Sequence, residues 1–386
     1  MTHRVPVAIR RSPAPAAATA PLADAADAGS HAGGPTDGAL ADGARADDAL
    51  ADGALADGAL VDRFGRVHRD LRISVTDRCN LRCTYCLPDE RITFLPRDDI
   101  LTFEEIARVA AVAHRLGVES VRITGGEPLV RRDVAGLVSQ LAAIGFGDIA
   151  LTTNGTRLAA LAGSLAAAGL RRVNVSCDSL RPDRFARIRR RGDLATVLAA
   201  MGAAEEAGLL PLKVNVVLVA GVNDDEILDF ADLARRHGRV VRFIEFMPLD
   251  AEMRWDRGLV VPAATVLQRI AARWPLQAVP GSLQDAAPAE RYRFADGAPG
   301  EIGVVASVTR PFCGRCDRLR LTADGAIRNC LFSDDELSVR DLLRAGGDDA
   351  AVAALLRQAV AGKRAGHGMD DPAFLRPRRS MSMIGG

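Results

Sequence analysis

Residues 70–86 read DLRISVTDRCNLRCTYC: a short apolar run, then three cysteines, Cys79, Cys83 and Cys86, at C-x3-C-x2-C spacing. The run predicts a strand near 71–75, with the cysteines just past its carboxyl end. Five more such runs follow, near 120–124, 148–152, 172–177, 212–219 and 240–246, separated by amphipathic helical stretches. Thr102 and Glu105 form a T-x-x-E capping box ahead of one of these stretches, and Gly117 ends it. Six βα repeats predict a parallel sheet.

The polar motifs GGEP (Gly125 to Pro128), TTNG (Thr152 to Gly155), SCDS (Ser176 to Ser179) and EFMP (Glu245 to Pro248) each sit at or just after a predicted strand's carboxyl end. A doubly wound sheet would gather its ligand contacts at one switch point. Contacts spread over many strand ends point to the carboxyl face of a barrel. The expected fold class is therefore α/β, an incomplete (β/α)6 TIM-type barrel over residues 62–250. A C-terminal α+β domain over 251–386, carrying a second cysteine cluster, follows it, and a disordered, low-complexity arm over 1–61 precedes it.

That arm holds the five-residue repeat ADGARADDALADGALADGALVD, with too few bulky side chains to offset the entropy of ordering. Residues 1–62 contain nine Asp and four Arg, about −5, so the remainder is mildly basic, about +6, within an overall net charge of +1. This suits an anionic small ligand and falls short of the basic stripe of a nucleic-acid binder. No uncharged apolar run is long enough to span a membrane, and the N-terminal stretch does not read as an export signal. A cytoplasmic protein with neither nucleic acid nor membrane as partner is expected.

Three thiolates without a fourth ligand nearby need a reason. Structural zinc takes four ligands, and disulfide frameworks belong to small secreted chains. An iron–sulfur cube takes four thiolates; with three, one iron stays open to an outside ligand. The spacing, with Tyr85 beside Cys86 and GGEP downstream, resembles the radical S-adenosylmethionine (SAM) superfamily. The resemblance implies a 4Fe–4S cluster whose open iron is chelated by the amino acid end of SAM, and reductive release of a 5′-deoxyadenosyl radical. GGEP is similar to the loop that holds the methionine ammonium: its glycines let carbonyls approach closely, and Glu127 supplies negative charge.

A second trio, Cys313, Cys316 and Cys330, lies in RPFCGRCDRLRLTADGAIRNCLF. Asp324-Gly325 predicts a hairpin that carries Cys330 back toward Cys316. Strand alternation puts Arg318 and Arg320 on one face, Leu319 and Leu321 on the other. Paired guanidiniums suit an anionic or heteroaromatic substrate. The alternatives are half of a zinc ribbon completed by His367 or a distant ligand, and a redox-active C-x-x-C. Cys177 reads as a small buried filler, and KRAGHG at 363–368 as a solvated basic face.

Together SVTDRCNLRCTYC, RITGGEPLVRRD, LTTNG, NVSCDSL, FCGRCDRLRLTADG and the terminal Gly-Gly resemble the GTP 3′,8-cyclase (MoaA) family of molybdenum cofactor biosynthesis, from about residue 62 to Gly386. The resemblance implies two 4Fe–4S clusters, one on Cys79, Cys83 and Cys86, the other on Cys313, Cys316 and Cys330 with its open iron facing the guanine of GTP. It implies SAM contacts from Tyr85, Gly126, Ser176 and Met247. GTP contacts are implied for Arg72, Arg122, Thr152, Lys213, Arg318, Leu319 and Arg320, and catalytic support for Gly385 and Gly386. The implied reaction is abstraction of the ribose 3′ hydrogen, attack of the resulting carbon radical on guanine C8 and reduction to a cyclised dihydroguanosine triphosphate. An unidentified one-electron reductant and, as the next enzyme, cyclic pyranopterin monophosphate synthase would be its partners. Oligomeric state is left open between monomer and homodimer. The rival readings are a radical SAM peptide maturase with an auxiliary cluster and a zinc or redox-sensing binding module.

Overall fold

The computed structural model describes residues 58–87, 92–250, 253–371 and 374–385. Of the arm expected to be disordered, residues 1–61, residues 1–57 lie outside the described residues, as does any role of Gly386. Its last residues correct the expectation, because Leu60 is buried in the core and its N donates to Leu116 O at 3.2 Å. Strands β1 (Asp70–Ser74), β2 (Ser120–Thr124), β3 (Asp148–Thr153), β4 (Arg172–Ser176), β5 (Lys213–Leu218) and β6 (Val240–Glu245) appear where the apolar runs predict them. They pair in parallel, in chain order. Between them lie α1 (Phe103–Arg115), α2 (Val134–Ile144), α3 (Leu158–Ala167), α4 (Pro182–Arg189), α5 (Leu194–Glu206) and α6 (Ile227–His237).

Helix α1 shows why these segments form where they do. Thr102 Oγ1 accepts from Glu105 N at 3.2 Å, and Glu105 Oε2 accepts from Thr102 N at 2.8 Å, so two otherwise orphaned amides are satisfied. Ile106, Val109, Ala110 and Ala113 form one buried stripe. Gly117, at φ +87°, reverses the chain after the last turn.

The parallel sheet is wider than six strands. After residue 250 the chain adds β9 (Glu301–Val305) alongside β6 and β10 (Arg318–Leu321) alongside β1, both parallel. The parallel order is thus β10-β1-β2-β3-β4-β5-β6-β9. Antiparallel β8 (Glu290–Phe294) and β7 (Leu276–Ala278) extend one edge; β11 (Ala326–Arg328) and β12 (Leu337–Ser338) extend the other. The βα rhythm breaks there, because hairpins join β9 to β8 and β10 to β11.

Alternation sorts the two faces. Leu71, Ile73, Val121, Ile123, Leu151, Val175, Val214, Val216, Val241, Phe243, Leu319 and Leu321 enter the core beneath the helices, each contributing about 1.5–3 kcal/mol. The alternate side chains of all eight parallel strands line one cavity, so the sheet curls into an open barrel. Asp324-Gly325 turns β10 into β11 with Gly325 at φ +80°. Helices α7 (Ala263–Ala271), α8 (Val339–Arg344), α9 (Asp349–Ala361) and α10 (Met381–Ile384) complete the described chain.

Thr102→Ala removes the cap without touching the cavity. Urea unfolding should show a loss of about 1 kcal/mol.

Candidate active site

The loop leaving β1 is held by the loop leaving β2. Gly126 N donates to Thr76 O at 2.7 Å and Glu127 N to Arg78 O at 2.8 Å. A Cβ on Gly125 would lie 2.6 Å from Thr76 O, and one on Gly126 would collide with Arg78 O and lie 2.8 Å from Asp77 O. Gly-Gly is therefore required by backbone approach to the segment that enters Cys79. Glu127 lines the main cavity and also braces the loops. Its buried carboxylate accepts from Leu129 N at 3.0 Å, Thr153 Oγ1 at 2.7 Å and Asn154 N at 2.6 Å. That charge braces the β2 loop against the β3 loop, while burial pushes its pKa up.

Cys79, Cys83 and Cys86 line the cavity together. Burial pushes the Cys79 thiol up to about 11 and raises Cys83 and Cys86 as well. Three thiolates side by side, Cys83 buried and Cys79 and Cys86 half-buried, become favourable when metal cations join them. The donors around them suit sulfur: Leu81 N points to Cys79 Sγ at 3.4 Å and Arg189 Nη1 to Cys83 Sγ at 3.3 Å. Arg189 Nε has no hydrogen-bond acceptor, which leaves donor capacity for an incoming anionic group. The donor set fits a thiolate-held iron–sulfur cluster.

Above this triad lies a row of cations. Arg320, Arg72 and Arg122 are Cα partners on adjacent strands β10, β1 and β2, and the row continues through Ala150 to Arg172. Like charges directly opposite one another are destabilising. Asp70 faces Arg72, Arg122, Arg318 and Arg320; its carboxyl stays low because these four outweigh burial, which acts the other way. One carboxylate shared among four guanidiniums leaves a positive surplus. Nε of Arg72, Arg122, Arg318 and Arg242 has no acceptor. Burial, reinforced by neighbouring arginines, lowers Arg320 to about 10, Arg242 to about 9 and Lys213 to about 6. The arrangement is a receptor for a polyanion.

Cys313, Cys316 and Cys330 line a second cavity of about 70 Å³. It shares Met247, Ser307, Phe312, Arg318, Arg320 and Leu331 with the main cavity of about 240 Å³. Burial would raise the Cys316 thiol, yet Arg318 and Lys363 pull it down to about 6. Lys363 corrects the expectation of a solvated basic run: it is 3% exposed, and its Nζ donates to Cys316 Sγ at 3.3 Å and Arg318 O at 2.8 Å. Arg66, paired with Asp62 at 2.6 Å, braces the same loop by donating to Cys313 O at 2.6 Å. His367 accepts from Met369 N at Nδ1 and donates from Nε2 to Ser307 O, so both ring nitrogens are engaged. Among the described residues no three His, Cys, Asp or Glu side chains converge on a single metal ion. With both ring nitrogens engaged, His367 does not supply the fourth ligand that a zinc ribbon on this trio would need.

The main cavity gathers Tyr85, Gly126, Ser176 and Met247, together with Arg72, Arg122, Thr152, Arg318 and Arg320. Lys213 lies two residues deeper on β5 than Asn215, which lines the cavity. The Leu319 side chain is in the core on the opposite face, so only its backbone faces inward. Gly385 O accepts from Arg320 Nη1, and Met381 and Ser382 line the cavity. Sequence reasoning missed Arg242, Asn215, Asp178, Arg189 and Lys363. An arginine inside the apolar run VVRFIEF was the available signal for Arg242. Cys177 is buried, as expected of a filler.

A family model for the radical SAM superfamily matches residues 73–234, and one for Molybdenum Cofactor Synthesis C matches residues 239–369. The fold is similar to that of SuiB from Streptococcus suis, solved bound to precursor peptide SuiA, with a TM-score of 0.53 at 15% identity over 78% of this chain and 69% of that one. Fold and cysteine loop together define a radical SAM protein, a class that carries an iron–sulfur cluster and uses SAM. Over 327 residues the chain is 50% identical to the GTP 3′,8-cyclase of Streptomyces coelicolor, covering 84% of this chain and 96% of that protein. It is 49% identical over 331 residues to that of Mycolicibacterium smegmatis and 46% identical over 328 to that of Rhodopirellula baltica, covering 84% of this chain and 91% of each relative. The chain belongs to the GTP 3′,8-cyclase family.

Gly126→Ala should displace residues 76–79. The expected result is a folded protein by circular dichroism with reduced SAM affinity, measured by equilibrium dialysis of the iron-loaded form.

Proposed function

We propose that this chain converts GTP to (8S)-3′,8-cyclo-7,8-dihydroguanosine 5′-triphosphate, the first step of molybdenum cofactor biosynthesis. The observation that carries this reading is the register-matched arginine row facing a cavity that the first cysteine triad lines and that shares Arg318 and Arg320 with the cavity lined by the second. Cys79, Cys83 and Cys86 would hold one 4Fe–4S cluster, and Cys313, Cys316 and Cys330 a second. When bound, the first cluster and SAM supply the radical that removes the ribose 3′ hydrogen.

The chain's own residues do the rest. Arg72, Arg122, Arg242 and Lys213 hold the triphosphate, with Thr152 beside them. Arg318 and Arg320 hold the nucleotide toward the second triad, where guanine would bind. Fixing both ends of one molecule keeps C3′ close to C8, and that proximity is most of what an intramolecular bond formation requires. Tyr85, Gly126, Ser176 and Met247 form the SAM side. Met381 and Ser382 line the cavity, and Gly385, seated on Arg320, would support catalysis together with Gly386. GTP is the substrate; an external one-electron reductant and the pyranopterin synthase as next enzyme are the partners.

Anaerobic incubation of reconstituted protein with SAM, dithionite and GTP should yield 5′-deoxyadenosine together with the cyclised nucleotide; deoxyadenosine formed without GTP consumption would overturn the reading. Arg122→Ala should weaken GTP binding roughly tenfold or more, as read by calorimetry. Deleting Gly385 and Gly386 should impair cyclisation while iron content stays at the parent level.

Lys213, at about 6 in the free protein, is mostly neutral at about pH 7.5. A bound triphosphate favours its charged form, so the lysine takes up a proton on binding. Affinity should therefore fall as pH rises above about 6, by up to about tenfold per unit until the raised value of the bound state is reached. Lys213→Met should flatten that slope in calorimetry run in two buffers of different ionisation enthalpy.

A further inference from the structure

Arg189 closes α4 and is 3% exposed. Nothing in its local sequence, PDRFARIRR, separates it from Arg184, Arg187 and Arg190. Three contacts tie this helix end to the cysteine loop. Arg82 N donates to Arg189 O at 3.2 Å and Thr84 N to Ile188 O at 3.0 Å, so both neighbours of Cys83 are anchored to the last carbonyls of the helix. Between them, Arg189 Nη1 donates to Cys83 Sγ at 3.3 Å.

The far side of the guanidinium is fixed as well. Nη2 lies 2.8 Å from Asp178 Oδ2 in an ion pair whose side chains are 4% and 2% exposed. Asp178 in turn accepts from Tyr85 Oη at 2.7 Å and Val217 N at 2.9 Å. Burial would lower the Arg189 pKa, but Asp178, Cys83, Tyr85 and Cys177 hold it up, so the group is a cation. A buried ion pair is a poor way to brace a fold, since apolar side chains of similar volume do as well or better. A charged donor aimed at a cluster ligand has a different use: N–H···S bonds stabilise the electron-rich state of an iron–sulfur cluster and raise its potential.

We propose that Arg189 is a positioning residue for the first cluster: it seats the Cys83 thiolate and strengthens the cluster's hold on the electron it receives. The inference rests on the first triad carrying that cluster. Reduction adds one electron from an external low-potential donor, and Arg189 keeps its proton throughout.

The test uses the full-length chain, reconstituted with iron and sulfide, without SAM. Cys313, Cys316 and Cys330 are changed to Ser so that a single cluster is read, and dithionite titration is followed by EPR. Arg189→Met is combined with Asp178→Asn, so that no unpaired charge is left buried, and compared with Arg189→Lys. The double variant should bind the electron about tenfold more weakly, a midpoint about 59 mV more negative; the lysine variant should stay within about threefold of the parent. A double variant at the parent potential, or lysine and methionine versions shifted alike, would overturn the proposal. If the double variant folds by circular dichroism but holds no iron while the lysine variant loads fully, the seating role is supported; equal loss in both overturns it. Failure of the parent to load any cluster would instead defeat the first-triad reading itself.

Discussion

Three guanidiniums side by side on neighbouring strands are the constraint around which this structure is arranged. Arg320, Arg72 and Arg122 repel one another across the sheet, and Asp70 is the carboxylate that acts on all three. The sheet tolerates this because its other face is an unbroken apolar layer under the helices. Repulsion and desolvation are met during folding, so the donors stand already oriented and partly dry. Interactions of that kind gain strength from a low-dielectric, preorganised setting.

The two cysteine triads share a wall instead of standing apart. Arg318 and Arg320 face both cavities, so a ligand held by these arginines touches the surroundings of both triads. The triads differ in their electrostatics. The first is buried among groups that favour neutral thiols, with Arg189 as its nearby cation; the second has Arg318 and Lys363 against Cys316. The C-terminal tail connects the two regions, with Ser382 in the main cavity and Gly385 on Arg320.

Much of this was legible in the sequence because it depends on local chemistry. Strand positions follow from apolar runs, the α1 cap from Thr102 and Glu105, and the opposite facing of Arg320 and Leu319 from a period of two. The widening of the sheet by β9 and β10 was not legible, since pairing between Arg72 and Arg320 leaves no trace in either segment. Buried charges were missed for a related reason. Lys363 and Arg189 look like any surface cation until the tertiary fold brings a sulfur to them. Glu127 was placed correctly in its loop, but its bracing contacts could not be read there, because its partners, Thr153 and Asn154, come from the next strand.

The edge partnership of β1 bears on how the chain is made. β1 leaves the ribosome early, while β10, which covers one of its edges, follows roughly 250 residues later. Until then that edge presents unsatisfied amides and carbonyls to any extended segment nearby. The nascent protein thus passes through a stage in which most of its parallel strands can assemble but one flank stays open to other chains, so the length of that interval and the presence of a chaperone decide how much product escapes aggregation.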